Sequence, residues 1–229
     1  MNRFATRNSL LAAASLAAIT GCQSMSWPTF WPFPERELTT YRAPAMRIDA
    51  INQFAAQSTG VDSPEQRQIT DQLARQIQIE SDPLVRAAVV QTICEFRTPI
   101  AQQVLEAGLA DDSQAVRIAC CQALGERGAA TSVGGLAQAL RSDKDVDVRL
   151  AAAAALGQIK TSESMQALTV ALDDRDPAMQ YVGVQSMKSI TGKDYGGNVE
   201  AWRQVAAGQS PPLPKGPTLA ERMRSVSPF

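Results

Sequence analysis

The chain has 229 residues, with 22 lysines and arginines against 23 aspartates and glutamates and no histidine at all. The missing histidine excludes triads with a histidine base, histidine metal sites and histidine pH switches, and the balanced charge argues against a nucleic-acid binder, which needs a concentrated basic surface. Aromatics make up only 5% while alanine and aliphatic residues abound, so an all-α fold packed through small side chains is expected.

Residues 1–21 read as an export leader. Arg3 and Arg7 lie in a polar start, Leu10 to Ile19 form a short apolar run, and Ile19-Thr20-Gly21-Cys22 closes it. The run falls short of the roughly 20 apolar residues that cross a bilayer. Its last four residues resemble the lipobox of bacterial lipoproteins, which implies that Cys22 receives a diacylglyceryl group and becomes the first residue of the mature protein. Each buried methylene of such an acyl chain contributes about 0.8 kcal/mol, so more than one chain tethers a protein stably. The expected location is therefore the bacterial cell envelope, on the membrane and facing the periplasm or the cell exterior. Removing the leader leaves 20 basic and 23 acidic side chains, a net charge of -3.

Residues 22–43 form a linker in which Trp27, Phe30, Trp31 and Phe33 stand among prolines that remove backbone donors and forbid a regular helix. The rings suit either the headgroup level of a membrane or the flank of the first helices.

From residue 44 to residue 207 the chain repeats itself. Asp82 to Arg86, Ser113 to Arg117, Asp145 to Arg149 and Asp176 to Gln180 align, and their last positions are spaced by 31, 32 and 31 residues; a weaker copy ends at Arg47. Each copy opens on a residue suited to cap a helix, and Pro83 and Pro177 follow where proline is tolerated best. Apolar residues then recur as one stripe: Val85, Val89 and Ile93; Val116, Cys120 and Leu124; Val148, Ala152 and Leu156; Met179, Gly183 and Met187. Between these helices lie other amphipathic stretches, Glu65 to Ile79, Ile100 to Leu109, Val133 to Leu140 and Met165 to Leu172. Gly128, Gly157 and Gly192 fall near predicted helix ends, where a left-handed cap is expected. Each unit is thus two antiparallel helices, which must stack on neighbours to bury both faces.

The run Asp145-Val-Asp-Val-Arg-Leu-Ala-Ala-Ala-Ala-Ala-Leu-Gly157 resembles HEAT repeats, in particular the short kind found in phycobilin lyase subunits. The resemblance implies a right-handed α-solenoid. The fourth copy departs from the pattern at Gln180 and Lys188, so any ladder of stacked arginines is expected to weaken towards the carboxyl end. Val199 to Val205 reads as a last short helix with Trp202 as the plug of the open end. Residues 208–229, with the proline-rich Ser210 to Pro217, read as a disordered tail.

Two polar series stand out. Arg47, Arg86, Arg117 and Arg149 recur on first helical turns and are expected to bond loop carboxylates such as Asp82, Asp112, Asp145 and Asp147, with Asp176 at the corresponding place in the last copy, tying one repeat to the next. Gln91, Glu95, Gln122, Glu126, Gln158 and Gln185 lie opposite the apolar stripe and form the expected face for a protein partner, whose identity the sequence does not give. Cys94, Cys120 and Cys121 are expected to be buried thiols, although Cys94 has the option of a bridge to either neighbour in an oxidising envelope. No nucleophile with its base, no converging carboxylates and no phosphate loop is legible; Gly134-Gly135 lacks the lysine and strand that such a loop requires. The expected function is a lipid-anchored, non-catalytic interaction scaffold without metal or cofactor. The alternatives are a bilin-lyase-like accessory cradling a prosthetic group, against which the low aromatic content and absent histidine weigh, and a structural envelope spacer.

Overall fold

The computed structural model describes residues 43–213. The chain divides after Tyr41, and everything described lies on the carboxyl side of that division. The leader, Cys22, nearly all of the linker and the tail beyond Leu213 lie outside the described residues.

Among the described residues all regular structure is helical: α1 Pro44–Ala55, α2 Pro64–Ile79, α3 Pro83–Cys94, α4 Pro99–Ala107, α5 Gln114–Arg127, α6 Val133–Ser142, α7 Val146–Gln158, α8 Ser162–Ala167, α9 Thr169–Leu172, α10 Pro177–Thr191 and α11 Val199–Ala206. Helices α1, α3, α5, α7 and α10 pack each on the next as one layer, while α2, α4, α6, α8 with α9, and α11 form the other. The result is the expected α-solenoid, with four helix pairs flanked by a single helix at each end.

The apolar stripes form the seam between the layers. Val85, Val89, Ile93, Val116, Cys120, Leu124, Val148, Ala152, Leu156, Met179 and Met187 are all buried within one continuous core. Burial of a side chain of this size contributes about 1.5–3 kcal/mol, so a pair standing alone would forfeit much of its stability. Trp202 closes the carboxyl end as the sequence leads one to expect. It is fully buried, its ring meets Tyr195 edge to face at 5.1 Å, and its Nε1 donates to the Gly196 carbonyl at 3.0 Å.

Several local expectations are corrected. Asp82 and Asp176 cap their helices through the amides of Leu84 and Ala178, but the side chains of Ser113 and Asp145 make no such bond. For Asp145 the reason is competition, since its carboxylate is held by Arg117 at 2.5 Å. The stretch from Met165 to Leu172 is not one helix but α8 and α9, broken at the buried Leu168, where Thr169 turns its hydroxyl back onto the Gln166 carbonyl at 2.7 Å.

Gly128 and Gly192 do end their helices in the left-handed conformation, but Gly157 lies inside α7 and is buried. There it serves close approach: a Cβ at this position would stand 2.6 Å from the Ser186 Cβ and 2.7 Å from its Cα on α10. Contact this tight lets the Ser186 hydroxyl reach the Ala153 carbonyl of α7 at 2.9 Å.

Gly157→Ala is expected to destabilise the protein by about 1–3 kcal/mol, because backbone must move to admit the methyl. Gly134→Ala, in α6 with nothing within 4 Å of the added carbon, is expected to stabilise by about 0.5–1 kcal/mol. Thermal unfolding followed by circular dichroism checks both, at about 2–4 °C of Tm per kcal/mol for a chain of this size.

Candidate functional site

The connections that lead into α3, α5, α7 and α10 share one construction. In each, a carboxylate two residues before the cap accepts the cap residue's own amide: Glu80 from Asp82 at 2.9 Å, Asp111 from Ser113 at 2.8 Å, Asp143 from Asp145 at 2.9 Å and Asp174 from Asp176 at 2.8 Å. The turn thereby fixes where one oxygen points.

The arginine of the following helical turn reaches back to the same connection's carbonyls. Arg86 donates to the carbonyls of Glu80 and Ser81, Arg117 to those of Asp111 and Asp112, and Arg149 to that of Asp143, while Gln180 donates to the Asp174 carbonyl. The rest of the guanidinium faces forward to the next repeat. Arg86 forks onto Asp111 at 2.8 and 2.9 Å, and Arg117 forks onto Asp143 at 2.8 and 3.0 Å and also takes Asp145. Arg47 does the same less closely, 3.2 Å from Glu80 and 3.9 Å from Asp82.

The expected partners are therefore corrected in part. Arg86 and Arg149 do not bond the aspartates four residues before them, because Asp82 is engaged in capping and Asp145 is held, as an expected tie between repeats, by Arg117 of the preceding one. Asp147 instead accepts from Gln114 at 2.8 Å. The working carboxylates are Glu80, Asp111 and Asp143, which lie 33, 25 and 26 residues beyond their arginines. Their signal was in the sequence as an acid two places before every cap. Arg149 makes no bond to a carboxylate among the described residues, so the forward series stops one repeat short of the carboxyl end.

Depth makes the middle rung the strongest. The Arg117 side chain is only 5% exposed and that of Asp143 9%. Burial pushes the carboxyls of Asp111 and Asp143 up, but the arginine forks, the turn amides and the nearby positive charges outweigh it and hold both below the ordinary carboxylate range. A second tie, which the repeat pattern did not suggest, sits at the opposite end of the helices: Arg127 donates to the carbonyls of Phe96 and Cys94 at the end of α3 and to Gln102 of α4.

The six residues of the expected partner face, Gln91, Glu95, Gln122, Glu126, Gln158 and Gln185, are all exposed and lie on α3, α5, α7 and α10, with Glu95 at the C-cap just past α3, in the layer that the arginines hold in register. A shallow groove of about 290 Å³ runs between the last two of these helices, floored by Gly157 and Ser186 and flanked by Gln158, Tyr181 and Gln185. Chemically the face offers amide donors and acceptors throughout and carboxylates only on its first half.

Cys94, Cys120 and Cys121 are free and buried. Burial, followed by the Glu126 carboxylate, pushes the Cys94 thiol up to about 11, and burial pushes Cys121 up to about 12 and Cys120 upward as well. Thiols so protonated are weak nucleophiles, and Cys120 packs its sulfur against Gly108 as a small apolar group would. Among the described residues no group of three or more Cys, Asp or Glu side chains is placed to hold a metal ion. No described helix is long and apolar enough to cross a membrane.

The profile of HEAT repeats matches residues 70–134 and 103–188, and the chain belongs to the HEAT-repeat family. No curated protein matches it. Among solved structures it is similar to human deoxyhypusine hydroxylase in complex with glycerol, with 24% identity and a TM-score of 0.50 over 54% of this chain. The match spans 44% of that protein, less than half its length, and at this identity the likeness is one of fold.

Asp143→Asn is expected to destabilise the protein at neutral pH by about 1–3 kcal/mol, since it removes the carboxylate on which the buried Arg117 forks and leaves that guanidinium with Asp145 alone. Because the folded carboxyl sits below its unfolded value of about 3.9, the unfolded chain takes up the proton first as pH falls. The contribution is thus complete above that value and drains as pH drops towards the folded pKa. Urea unfolding at pH 7 and near pH 3 is expected to show the gap between wild type and variant narrowing at the acid end.

Proposed function

We propose that this protein is a membrane-tethered, non-catalytic scaffold that holds a protein partner on the exposed face of α3, α5, α7 and α10. The observation that carries this reading is the regular display of Gln91, Glu95, Gln122, Glu126, Gln158 and Gln185. They stand on successive helices whose spacing is fixed underneath by the arginine forks and the Gly157–Ser186 contact. A rigid array loses little conformational entropy when it binds, so modest polar contacts spread over several repeats suffice.

The tether is the lipid expected at Cys22, where the resemblance to a lipobox supports an acylated amino terminus in the cell envelope. The linker between Cys22 and α1 would then set how far the face stands from the membrane. A second reading, an accessory that cradles a prosthetic group, rests on the likeness of Asp145 to Gly157 to the short repeats of phycobilin lyase subunits and on the groove beside Gly157 and Tyr181. A purified sample that is coloured or carries extra mass after lipid removal would favour it.

Two measurements test the main reading. Labelling cells with an alkyne fatty acid is expected to tag the wild-type protein and to leave Cys22→Ser untagged and released from the membrane fraction; equal labelling of both removes the tether. A photo-crosslinking amino acid at position 122 or 158 is expected to give one discrete adduct in cells. The same probe at Gln103, exposed on α4 in the other layer, is expected to give none. Adducts from both layers alike, or from neither, would refute the assigned face.

A further inference from the structure

The exposed side of α3, α5, α7 and α10 is banded. Counted from Arg86, Arg117, Arg149 and Gln180, the residues two before, one after, five after and nine after share one side of each helix, since they follow at steps of three and four. The first two positions make an apolar band: Leu84 is 62% exposed and Tyr181 65%, Ala115 and Ala178 are exposed, and Ile118 and Leu150 are partly buried. Asp147 interrupts the band, and its carboxylate is taken by Gln114. The positions five after are Gln91, Gln122, Ala154 and Gln185, and those nine after are Glu95, Glu126, Gln158 and Ser189, all exposed. Rows of neighbouring helices adjoin, as where Tyr181, Gln185 and Ser189 of α10 share a groove with Ala154 and Gln158 of α7.

The two carboxylates stand where they do not help the fold. Glu95 is the C-cap of α3 and Glu126 lies in the last turn of α5, at the negative ends of both helices, where a cation is favoured and an anion is not. Among the described residues neither is in an ion pair, whereas Glu80, Asp111 and Asp143, in the connections at the other ends, all are. Glu126 takes only the Cys94 thiol, at 3.8 Å. Arg127 beside it spends its guanidinium on the carbonyls of Cys94 and Phe96 and on Gln102, while Arg97, two residues past Glu95, is exposed. Burial raises the Cys94 thiol most, and the Glu126 carboxylate comes next, ahead of the opposing Arg127, so the local field is negative. At the same ends of α7 and α10, Lys160 is exposed and Lys188 is paired with Asp194. The end row thus runs from negative to positive along the array.

The apolar band and the end row are separated by eight residues of helix, about 12 Å. A helix laid across the array over the glutamines reaches both, since its diameter with side chains is about 10–12 Å. Neighbouring helices of a layer stand about 8–10 Å apart, close to the rise of seven helical residues, about 10.5 Å. A side chain repeated every seven residues therefore meets the same row on successive helices.

We propose that the partner presents an amphipathic helix that lies across α3, α5, α7 and α10, with its apolar side on the band from Leu84 to Tyr181 and two lysines or arginines, seven residues apart, on Glu95 and Glu126. Lys160 repels those cations at the other end, so the charges also set the direction of the bound helix. The inference rests on the face assigned above and adds the chemistry of what covers it.

The test uses a fluorescently labelled 18-residue peptide of alanine, leucine and lysine, with the leucines on one side of its helix and two lysines seven residues apart beside them. Its anisotropy is titrated with the full chain carrying Cys22→Ser. Glu95→Gln/Glu126→Gln is expected to weaken binding about fivefold and Arg97→Gln to strengthen it about twofold, while Glu163→Gln, on α8 in the other layer, leaves it unchanged. Leu84→Ala/Tyr181→Ala, at two exposed positions, is expected to weaken binding about fivefold, and a peptide with glutamates for lysines to bind at least about tenfold more weakly. No binding of the lysine peptide, equal affinity for both peptides, or a loss from Arg97→Gln overturns the proposal. If the crosslinker at position 122 still yields its adduct, the face stands and only the partner chemistry falls; absence of that adduct as well takes the face with it.

Discussion

The forward fork from an arginine to a carboxylate one repeat away is the constraint on which the rest of the structure depends. Hydrophobic burial makes the helix pairs stack, but it is non-directional and tolerates sliding along the seam. A guanidinium has donors in a fixed plane, and it meets a carboxylate best in one orientation. Here the carboxylate is itself held by a turn amide, as Asp111 is by Ser113 and Asp143 by Asp145. Arg117 thus measures the offset between its own connection and the next from both sides, with its remaining donors on the Asp111 and Asp112 carbonyls. Burial raises the stakes, because a guanidinium 5% exposed has little water to fall back on if the register slips.

Register at the connections becomes spacing at the surface. The helices of the α1, α3, α5, α7 and α10 layer approach closely where side chains are small: Gly125 lies against Ala155, and Gly157 against Ser186. With the offset and separation of neighbouring helices both fixed, the exposed glutamines and glutamates are held as a pattern that no single helix could present. The chemistry of the proposed binding face is ordinary; its content is geometric. The same logic applies to the carboxyl end, where the forward series stops at Arg149 and a shorter helix anchored by Trp202 closes the core instead.

Much of this is legible in the sequence because a repeat of about 31 residues lets four copies vouch for one another. Helix pairs, the buried stripe, the recurring arginines and the terminal tryptophan all come from that register. The partner carboxylates are harder to find. An aspartate four residues from an arginine is the obvious local partner, yet Asp82 spends an oxygen on its helix cap and Asp145 is taken by the preceding repeat's Arg117, so the acids that serve lie a whole repeat away. Gly157 misleads for a similar reason, since a glycine near a predicted helix end suggests a cap, while its neighbour in space, Ser186, is 29 residues distant in the chain. The six residues of the proposed partner face are legible as polar and periodic, and the structure shows them exposed. Membership of the HEAT-repeat family fixes the architecture and leaves the choice of partner to the surface.

A double-mutant cycle between Arg117 and Asp143, set beside one between Arg149 and Asp174, tests most directly whether the forward fork couples neighbouring repeats. A coupling of about 1–3 kcal/mol is expected for the first pair and less than about 0.5 kcal/mol for the second, which makes no such bond. Equal couplings in the two cycles, or none in either, would contradict the dependence of the stack on these arginines.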